Sequence, residues 1–301
     1  METYPSYHQL YENDDLPRIA EQLEGLMKEC TICPRQCRVN RFESAGGYCR
    51  TGKYPVVSSA QPHFGEEPPL VGHRGSGTVF FTNCNLACVF CQNYTISHLG
   101  RGKEISYLDL AEIMLDLQRK GCHNINFVTP THMIYQICMA LEYAVPRGLS
   151  VPLVYNTGGY DSPETLKLIE GIFDIYMPDF KYYNNEYASR YSDVPDYSAI
   201  AQAAITEMHR QVGDLQEDKR GIARRGVIIR HLVLPNLAED SRNIIDFVAG
   251  LSKETYFNCM DQYRPEYHAR DFHELSRPVA RQDFQDIIMY AQNQGLKPAG
   301  Y

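Results

Sequence analysis

The sequence predicts an α/β protein, a partial (β/α)6 TIM-like barrel preceded by an irregular cysteine-rich lobe. Three observations carry that expectation. From residue 77 onward, six short apolar runs alternate with amphipathic helical patterns. Residues 30–76 are rich in Cys, Arg, Gly and Pro and show no sustained hydrophobic period. The cysteines gather in two groups, one in that lobe and one directly after the first apolar run.

The elements follow in chain order. Residues 1–29 are polar and tyrosine-rich, with a helix expected from Leu16 to Met27. The segment to residue 76 is expected to be irregular and held by something other than a large core, so the chain divides into 1–76 and 77–301. The first strand is expected at Thr78–Thr82. Ser106 can cap a helix running to Lys120, with Gly121 as its stop and Leu108, Leu110, Ala111, Met114, Leu115 and Leu117 on its apolar face. A second strand at Ile125–Thr129 precedes a helix at Met133–Ala144. A third at Leu153–Asn156 precedes a helix that opens on Ser162-Pro163 and ends near Gly171. The fourth, Asp174–Pro178, precedes a helix at Tyr197–Val212, and Lys219–Arg225 reads as a solvated loop. The fifth and sixth, Val227–Leu234 and Thr255–Met260, alternate with helices at Ser241–Leu251 and Ala280–Asn293. Strands alternating with helices make a parallel sheet, and function in such a sheet collects at the carboxyl ends of its strands.

Composition narrows the function. A chain of 301 residues that is 44% hydrophobic and 22% charged is globular, which excludes collagenous, coiled-coil and wholly disordered classes. Asp+Glu outnumber Lys+Arg, 37 to 29, with no long basic run, so neither nucleic acid nor an anionic membrane is expected as partner. The first residues lack the basic and apolar regions of a secretory signal, and no apolar run reaches membrane-spanning length. A cytoplasmic location is therefore expected, where clustered cysteines bind metal or do chemistry rather than pair as disulfides. There is no GxGxxG, P-loop, HExxH or GxSxG motif.

Two cysteine groups remain as the chemistry. Cys84, Cys88 and Cys91, at x3 then x2 spacing, put three thiols on one loop at the carboxyl end of the first strand. A cubane iron–sulfur cluster usually takes four cysteines, so three leave one iron open to bind and activate something. The alternatives are unrelated thiols, or three ligands of a zinc whose fourth lies elsewhere. Phe90 is placed to shield such a cluster. In the lobe, Cys30, Cys33, Cys37 and Cys49 suit tetrahedral zinc or a second 4Fe–4S cluster, and spacing leaves both open. Arg35, Arg38, Arg41 and Arg50 could offset thiolate charge or grip an anionic partner. Cys122, Cys138 and Cys259 lie in apolar contexts and read as packed thiols. His98, His231 and His268 read as surface or core hydrogen-bonding groups, and Tyr256, Tyr263 and Tyr267 as packing at the barrel rim.

The CxxxCxΦC pattern at the end of the first barrel strand resembles the signature of radical S-adenosylmethionine (SAM) enzymes, and the fold expected is then the partial barrel of that family. Thr157 in Tyr155-Asn-Thr-Gly-Gly-Tyr160, Met177-Pro-Asp179-Phe-Lys181, and Arg230 followed by Pro235 look like the strand-end patterns of pyruvate formate-lyase activating enzymes. The chain is most similar to their PflX-type branch. The resemblance implies that Cys84, Cys88 and Cys91 hold a 4Fe–4S cluster whose open iron chelates SAM. One electron then yields a 5′-deoxyadenosyl radical that takes a hydrogen atom from a substrate. It further implies that Asn156, Thr157, Met177 and Asp179 line the SAM and a monovalent-cation site, although a carboxylate usually stands where Asn156 does. Lys181 and Arg230 would face SAM or substrate; the bland reading of Asp179 and Lys181 is a surface ion pair. The usual GGE segment is replaced by Val128-Thr129-Pro130-Thr131-His132. Thr129, Thr131 and His132 would offer hydroxyl and imidazole groups to the cofactor or substrate, or Thr131 would merely cap the next helix. The implied partners are a glycyl-radical protein as substrate and a low-potential electron donor of flavodoxin or ferredoxin type. A small molecule or other peptide as substrate is the alternative, and a non-catalytic iron–sulfur or zinc protein the third reading.

Overall fold

A computed structural model describes residues 4–300. Residues 1–3 and 301, the outermost of the two expected parts, lie outside the described residues. Six strands form the heart of the sheet: β1 (Ser76–Phe81), β2 (Ile125–Val128), β3 (Leu153–Thr157), β4 (Ile175–Pro178), β5 (Ala223–Leu232) and β6 (Tyr256–Met260). Each pairs in parallel with the next, in chain order. The barrel is not closed. On its outer side β1 pairs antiparallel with the edge strand Val56–His63, which in turn carries the short strand Lys103–Glu104.

That edge strand corrects the expectation that residues 30–76 are irregular throughout. Its sequence, VVSSAQPH, has no alternating apolar face, and only Val57 is buried. Backbone pairing with β1, rather than side-chain burial, makes it a strand. Three further boundaries differ. The helix after β3 spans only Pro163–Leu168, short of Gly171. The helix expected from Ser241 begins at Ala238, with Glu239 and Asp240 in its first turn where they complement the helix dipole. Strand β5 starts at Ala223, inside the expected loop, because Gln216–Glu217 pairs antiparallel with its beginning.

Local signals explain some of the other ends. Ser106 and Asp109 form a reciprocal capping box on the helix Tyr107–Arg119. The helix Asp15–Lys28 buries Leu16, Ile19, Ala20, Leu23 and Met27 and packs on the helix Ile134–Ala144. A buried Leu or Ile contributes about 1.5–3 kcal/mol, so this stripe fastens the N-terminal helix to the outside of the barrel. Cys122, Cys138 and Cys259 are core residues.

Inside the barrel, Val154, Ile175, Met177, Ala223 and Ile228 close on Leu70, which is fully buried. Leu70 comes from the short helix Pro68–Val71, and Asn124 Nδ2 donates to its carbonyl oxygen (2.9 Å). The segment before β1 therefore plugs the barrel from within and sets the floor of what lies above it. No helix among the described residues is long and apolar enough to cross a membrane.

Candidate active site

After Phe81 the chain leaves β1 through Asn83, whose positive φ of 64° turns it into the loop bearing Cys84, Cys88 and Cys91. Asn tolerates that conformation better than most residues. The loop is tied down at several points. Ala87 N donates to Ser192 O (3.1 Å), Val89 N to Tyr191 O (2.8 Å), and His268 N to Val89 O (2.8 Å). His98 Nε2 lies 3.1 Å from Cys88 O. Phe90 does not face the cavity; it packs edge-on against Tyr182 and Tyr263 in the core.

The three thiols open into one cavity of about 380 Å³ at the carboxyl ends of the strands. Each sulfur has a polar neighbour: Leu86 N donates to Cys84 Sγ (3.4 Å), Ser192 Oγ donates to Cys88 Sγ (3.0 Å), and Ser97 Oγ lies 3.1 Å from Cys91 Sγ. Burial pushes the Cys84 and Cys88 thiols up; the neighbouring thiol pushes Cys84 further, while Lys181 works against the rise at Cys88. Thiolates there call for a positive charge between them. Three thiols on one loop, with donors on or beside their sulfurs and a shared cavity, suit a 4Fe–4S cluster with one open iron. Among the described residues no three His, Cys, Asp or Glu side chains meet closely enough to hold a single metal ion.

Thr129, Asn156, Thr157, Asp179, Lys181 and Arg230 line this same cavity, from the ends of β2 to β5. Asp179 sits between two cations, with Oδ2 2.6 Å from Lys181 Nζ and Oδ1 2.8 Å from Arg230 Nε. Arg230 Nη2 also donates to Asn156 Oδ1 (2.8 Å). The side chains of Asp179 and Lys181 are only 17% and 18% exposed, so this is not a surface ion pair. Burial alone would raise the Asp179 carboxyl, but Arg230 and Lys181 outweigh it and hold it below the usual range. Burial opposes the Lys181 charge, and Asp179 together with Cys88 outweighs that too. Thr129 is strained: it is β-branched with a φ of 61°, and its N–H donates to Asn156 O (2.8 Å).

Three expected cofactor contacts lie elsewhere. Met177 is fully buried in the apolar plug beneath the cavity. Thr131 donates to Asp161 Oδ1 (2.7 Å), beside Thr157, which donates to Asp161 Oδ2 (2.6 Å), and Tyr155 OH, which donates to Oδ1 (2.8 Å). Thr131 thus braces the β3 end from within and does not line the cavity. His132, 1% exposed, bonds through Nε2 to Thr82 O (2.9 Å) and lines a different cavity, among the lobe cysteines. Burial and the nearby Arg41 push its imidazole down to about 4, so it is neutral.

That second cavity is walled by Cys30, Cys33, Cys37 and Cys49 together with Arg35, Arg41, Asn85 and His132. Burial pushes the Cys33 thiol up to about 12, and the other three lobe thiols add to the rise. His231 is a core hydrogen-bonding group between Phe180 O (2.8 Å) and Ser241 Oγ (2.9 Å).

Sequence reasoning missed Glu66 and Asp161. Glu66 lines the first cavity, 3.6 Å from Arg230 Nη1, with Glu67 behind it at 3.8 Å. It arrives from a segment with no period or motif, so the sequence carried no signal for it. Asp161 follows directly on the Thr-Gly-Gly-Tyr turn, and that adjacency to a strand-end motif was its only trace.

The chain is similar to several known proteins. An uncharacterized protein of Methanocaldococcus jannaschii, MJ0674, is 33% identical over 286 residues, 92% of this chain and 78% of that protein. A second from the same organism, MJ0808, is 26% identical over 274 residues, 83% of this chain and 75% of that one. Streptococcus suis SuiB, solved bound to precursor peptide SuiA, aligns over 70% of this chain and 44% of its own at 13% identity and a TM-score of 0.48. A structure of anSMEcpe with bound AdoMet and Cp18Cys peptide aligns over 70% of this chain and 56% of its own at 9% identity and a TM-score of 0.45. Residues 78–248, more than half of the chain and the stretch from β1 to beyond β5, match the family model of the Radical SAM superfamily, and to that superfamily the chain belongs.

Proposed function

We propose that this chain is a radical SAM enzyme that abstracts a hydrogen atom from a glycine of a partner glycyl-radical protein. The observation that carries the reading is the sharing of one cavity by Cys84, Cys88, Cys91 and the strand-end residues Asn156, Thr157, Asp179, Lys181 and Arg230. The three cysteines would hold a 4Fe–4S cluster, which with SAM bound supplies a 5′-deoxyadenosyl radical after one-electron reduction. Asp179 fixes Lys181 and Arg230 in the wall, where their charges can meet the carboxylate of SAM or a polar substrate. Thr129 and Asn156 offer hydrogen bonds to the cofactor, and the plug under Leu70 keeps water from entering from below. A monovalent cation would draw on the same strand ends, where Asn156 Oδ1 and Asp179 Oδ1 each already accept from Arg230. The four lobe cysteines would hold a second 4Fe–4S cluster rather than zinc, since no three of them meet closely enough for a single ion; the expected parts 1–76 and 77–301 are joined by the edge strand Val56–His63 and by Leu70 inside the barrel. A flavodoxin- or ferredoxin-type donor would supply the electron, in the cytoplasm.

One observation favours a second reading, a small molecule or other peptide as substrate. Glu66 adds a carboxylate to the wall beside Arg230, from a segment that none of the strand-end motifs includes. Anaerobically reconstituted protein given reductant and SAM should release 5′-deoxyadenosine, and Cys88→Ala should abolish release. Absence of release from the wild type would sink both readings. Deuterium carried into 5′-deoxyadenosine from a labelled glycine, or from a labelled small molecule, separates them.

A further inference from the structure

The two cysteine groups are joined by arginines interleaved with the lobe cysteines. Arg35, between Cys33 and Cys37, donates from Nε to Asn85 O (2.9 Å), and its guanidinium lies over the Tyr48 ring at 3.7 Å. Arg50, next to Cys49, donates from Nη2 to Asn83 Oδ1 (3.1 Å) and to His98 O. Arg41 is 2% exposed; its Nε donates to Thr51 O (2.8 Å) and its Nη2 to His132 O (2.7 Å). His132 in turn bonds Thr82 O through Nε2. Thr82, Asn83 and Asn85, the residues around Cys84, are thus each held from the lobe or through one residue bonded to it.

The lobe that carries these arginines has no helix or strand of its own between residues 30 and 55. Its backbone is tied by a few bonds, such as Cys30 N to Val39 O and Arg38 N to Cys30 O (both 3.0 Å). Its four thiols face one cavity, where Arg35 and Arg41 form part of the wall. His132, in the same wall, leaves Nδ1 buried with no partner, and Arg35 leaves Nη2 so. Buried polar atoms without partners are uncommon in finished sites. A metal centre among the four thiols would complete this wall and lock the arginines.

We propose that Arg35, Arg41 and Arg50 are positioning residues for Cys84, and that metal loading of the four-cysteine site sets how firmly the cluster loop is held. The proposal rests on the reading above that both cysteine groups bind metal. Loss of the lobe metal frees the arginines, Thr82 to Asn85 loosen, and the cluster at Cys84, Cys88 and Cys91 becomes easier to extract.

The test uses full-length protein reconstituted anaerobically. A Cys84→Ser, Cys88→Ser, Cys91→Ser triple variant first isolates the metal content and spectrum of the lobe site. Cys37→Ser, at the least buried lobe cysteine, should lose the lobe metal, and its remaining cluster should bleach about 10-fold faster in chelator. Arg50→Lys keeps the charge but loses the fork. It should retain the lobe metal, bleach several-fold faster than wild type, and show a shifted EPR spectrum for the reduced cluster. Unchanged circular dichroism of the metal-free chains shows that the variants fold. Bleaching and EPR equal to wild type in both variants would overturn the proposal. A triple variant that binds no metal would overturn the reading of the lobe site, and the coupling with it, while leaving the cluster at Cys84 untouched.

Discussion

Asp179 and Arg230 are cross-strand partners at the ends of β4 and β5, with Asp179 Oδ1 2.8 Å from Arg230 Nε. The second oxygen of the same carboxylate holds Lys181 at 2.6 Å. Asp179→Asn leaves two buried cations facing each other with one acceptor fewer. Breaking such a pair from one side costs about 3 kcal/mol, read as a lowered urea midpoint of the metal-free chain. The pH dependence follows from the direction of the shift. A carboxyl held below its unfolded value of about 3.9 gives its full stabilisation above that pH and loses it as pH falls through the lower, folded value. The gap between wild type and Asp179→Asn should therefore stay constant from pH 5 to pH 8 and narrow only below about pH 4. A gap that closes already near pH 6 would contradict the pairing.

Gly159 allows this arrangement to exist. It has a φ of 83°, and a Cβ there would run into the carbonyl oxygen of Asp179 and the hydroxyl of Tyr197. Tyr197 Oη accepts from Lys181 N (2.9 Å) and shares its single proton between Gly158 O and Asp179 O (2.8 and 2.9 Å). Gly159→Ala should cost about 2–3 kcal/mol from backbone strain alone, and should weaken SAM binding by displacing Asp179. Gly158→Ala is the control, since its Cβ meets mainly the end of the Leu86 side chain. Calorimetry should show a clearly larger loss of SAM affinity for the first variant than for the second.

What was legible in the sequence has a common character. The six parallel strands announce themselves as apolar runs, because both faces of such strands are covered. Asn156, Thr157, Asp179, Lys181 and Arg230 stand out as polar residues where those runs stop, and they do gather around the cysteine triplet. What was not legible depends on contacts between distant segments. Leu70 and Glu66 enter the barrel from a stretch without periodicity. Arg35 and Arg41 bond backbone carbonyls, at Asn85 and His132, and a carbonyl leaves no trace in residue identity. The hydrogen-bonding capacity of Thr131 and His132 was readable. Their direction was not, because the 3-10 turn Thr131–Met133 carries both into the interior while Thr129 stays at the wall.

Thr129 carries strain at the cavity wall. Threonine at a φ of 61° costs about 1–3 kcal/mol, of which glycine would recover all but the roughly 0.5–1 kcal/mol it adds in unfolded-chain entropy. Thr129→Gly should therefore stabilise the metal-free chain by about 1 kcal/mol while weakening SAM binding through loss of the hydroxyl. A raised urea midpoint with poorer SAM affinity is the expected pair of results. A variant that gains stability and binds SAM as well as wild type would remove Thr129 from the cofactor site.

Ser192 offers a test of the cluster environment that leaves every cysteine in place. Its hydroxyl is fully buried, donates to Cys88 Sγ at 3.0 Å, and lies 2.8 Å from Tyr182 OH. A hydrogen bond to a ligating sulfur draws charge from it and favours the reduced cluster, so its removal lowers the reduction potential. Ser192→Ala should shift the potential downward and slow the first turnover of SAM at fixed reductant strength. It also strips Tyr182 of a partner, at about 1 kcal/mol of stability, so a loss of stability alone decides nothing. Tyr182→Phe supplies the comparison: it removes the same Ser192–Tyr182 contact but keeps the bond from Ser192 to Cys88. Redox titration followed by EPR should therefore show a lower potential in Ser192→Ala than in Tyr182→Phe. Equal potentials in the two variants would mean that Ser192 only fills space behind the loop.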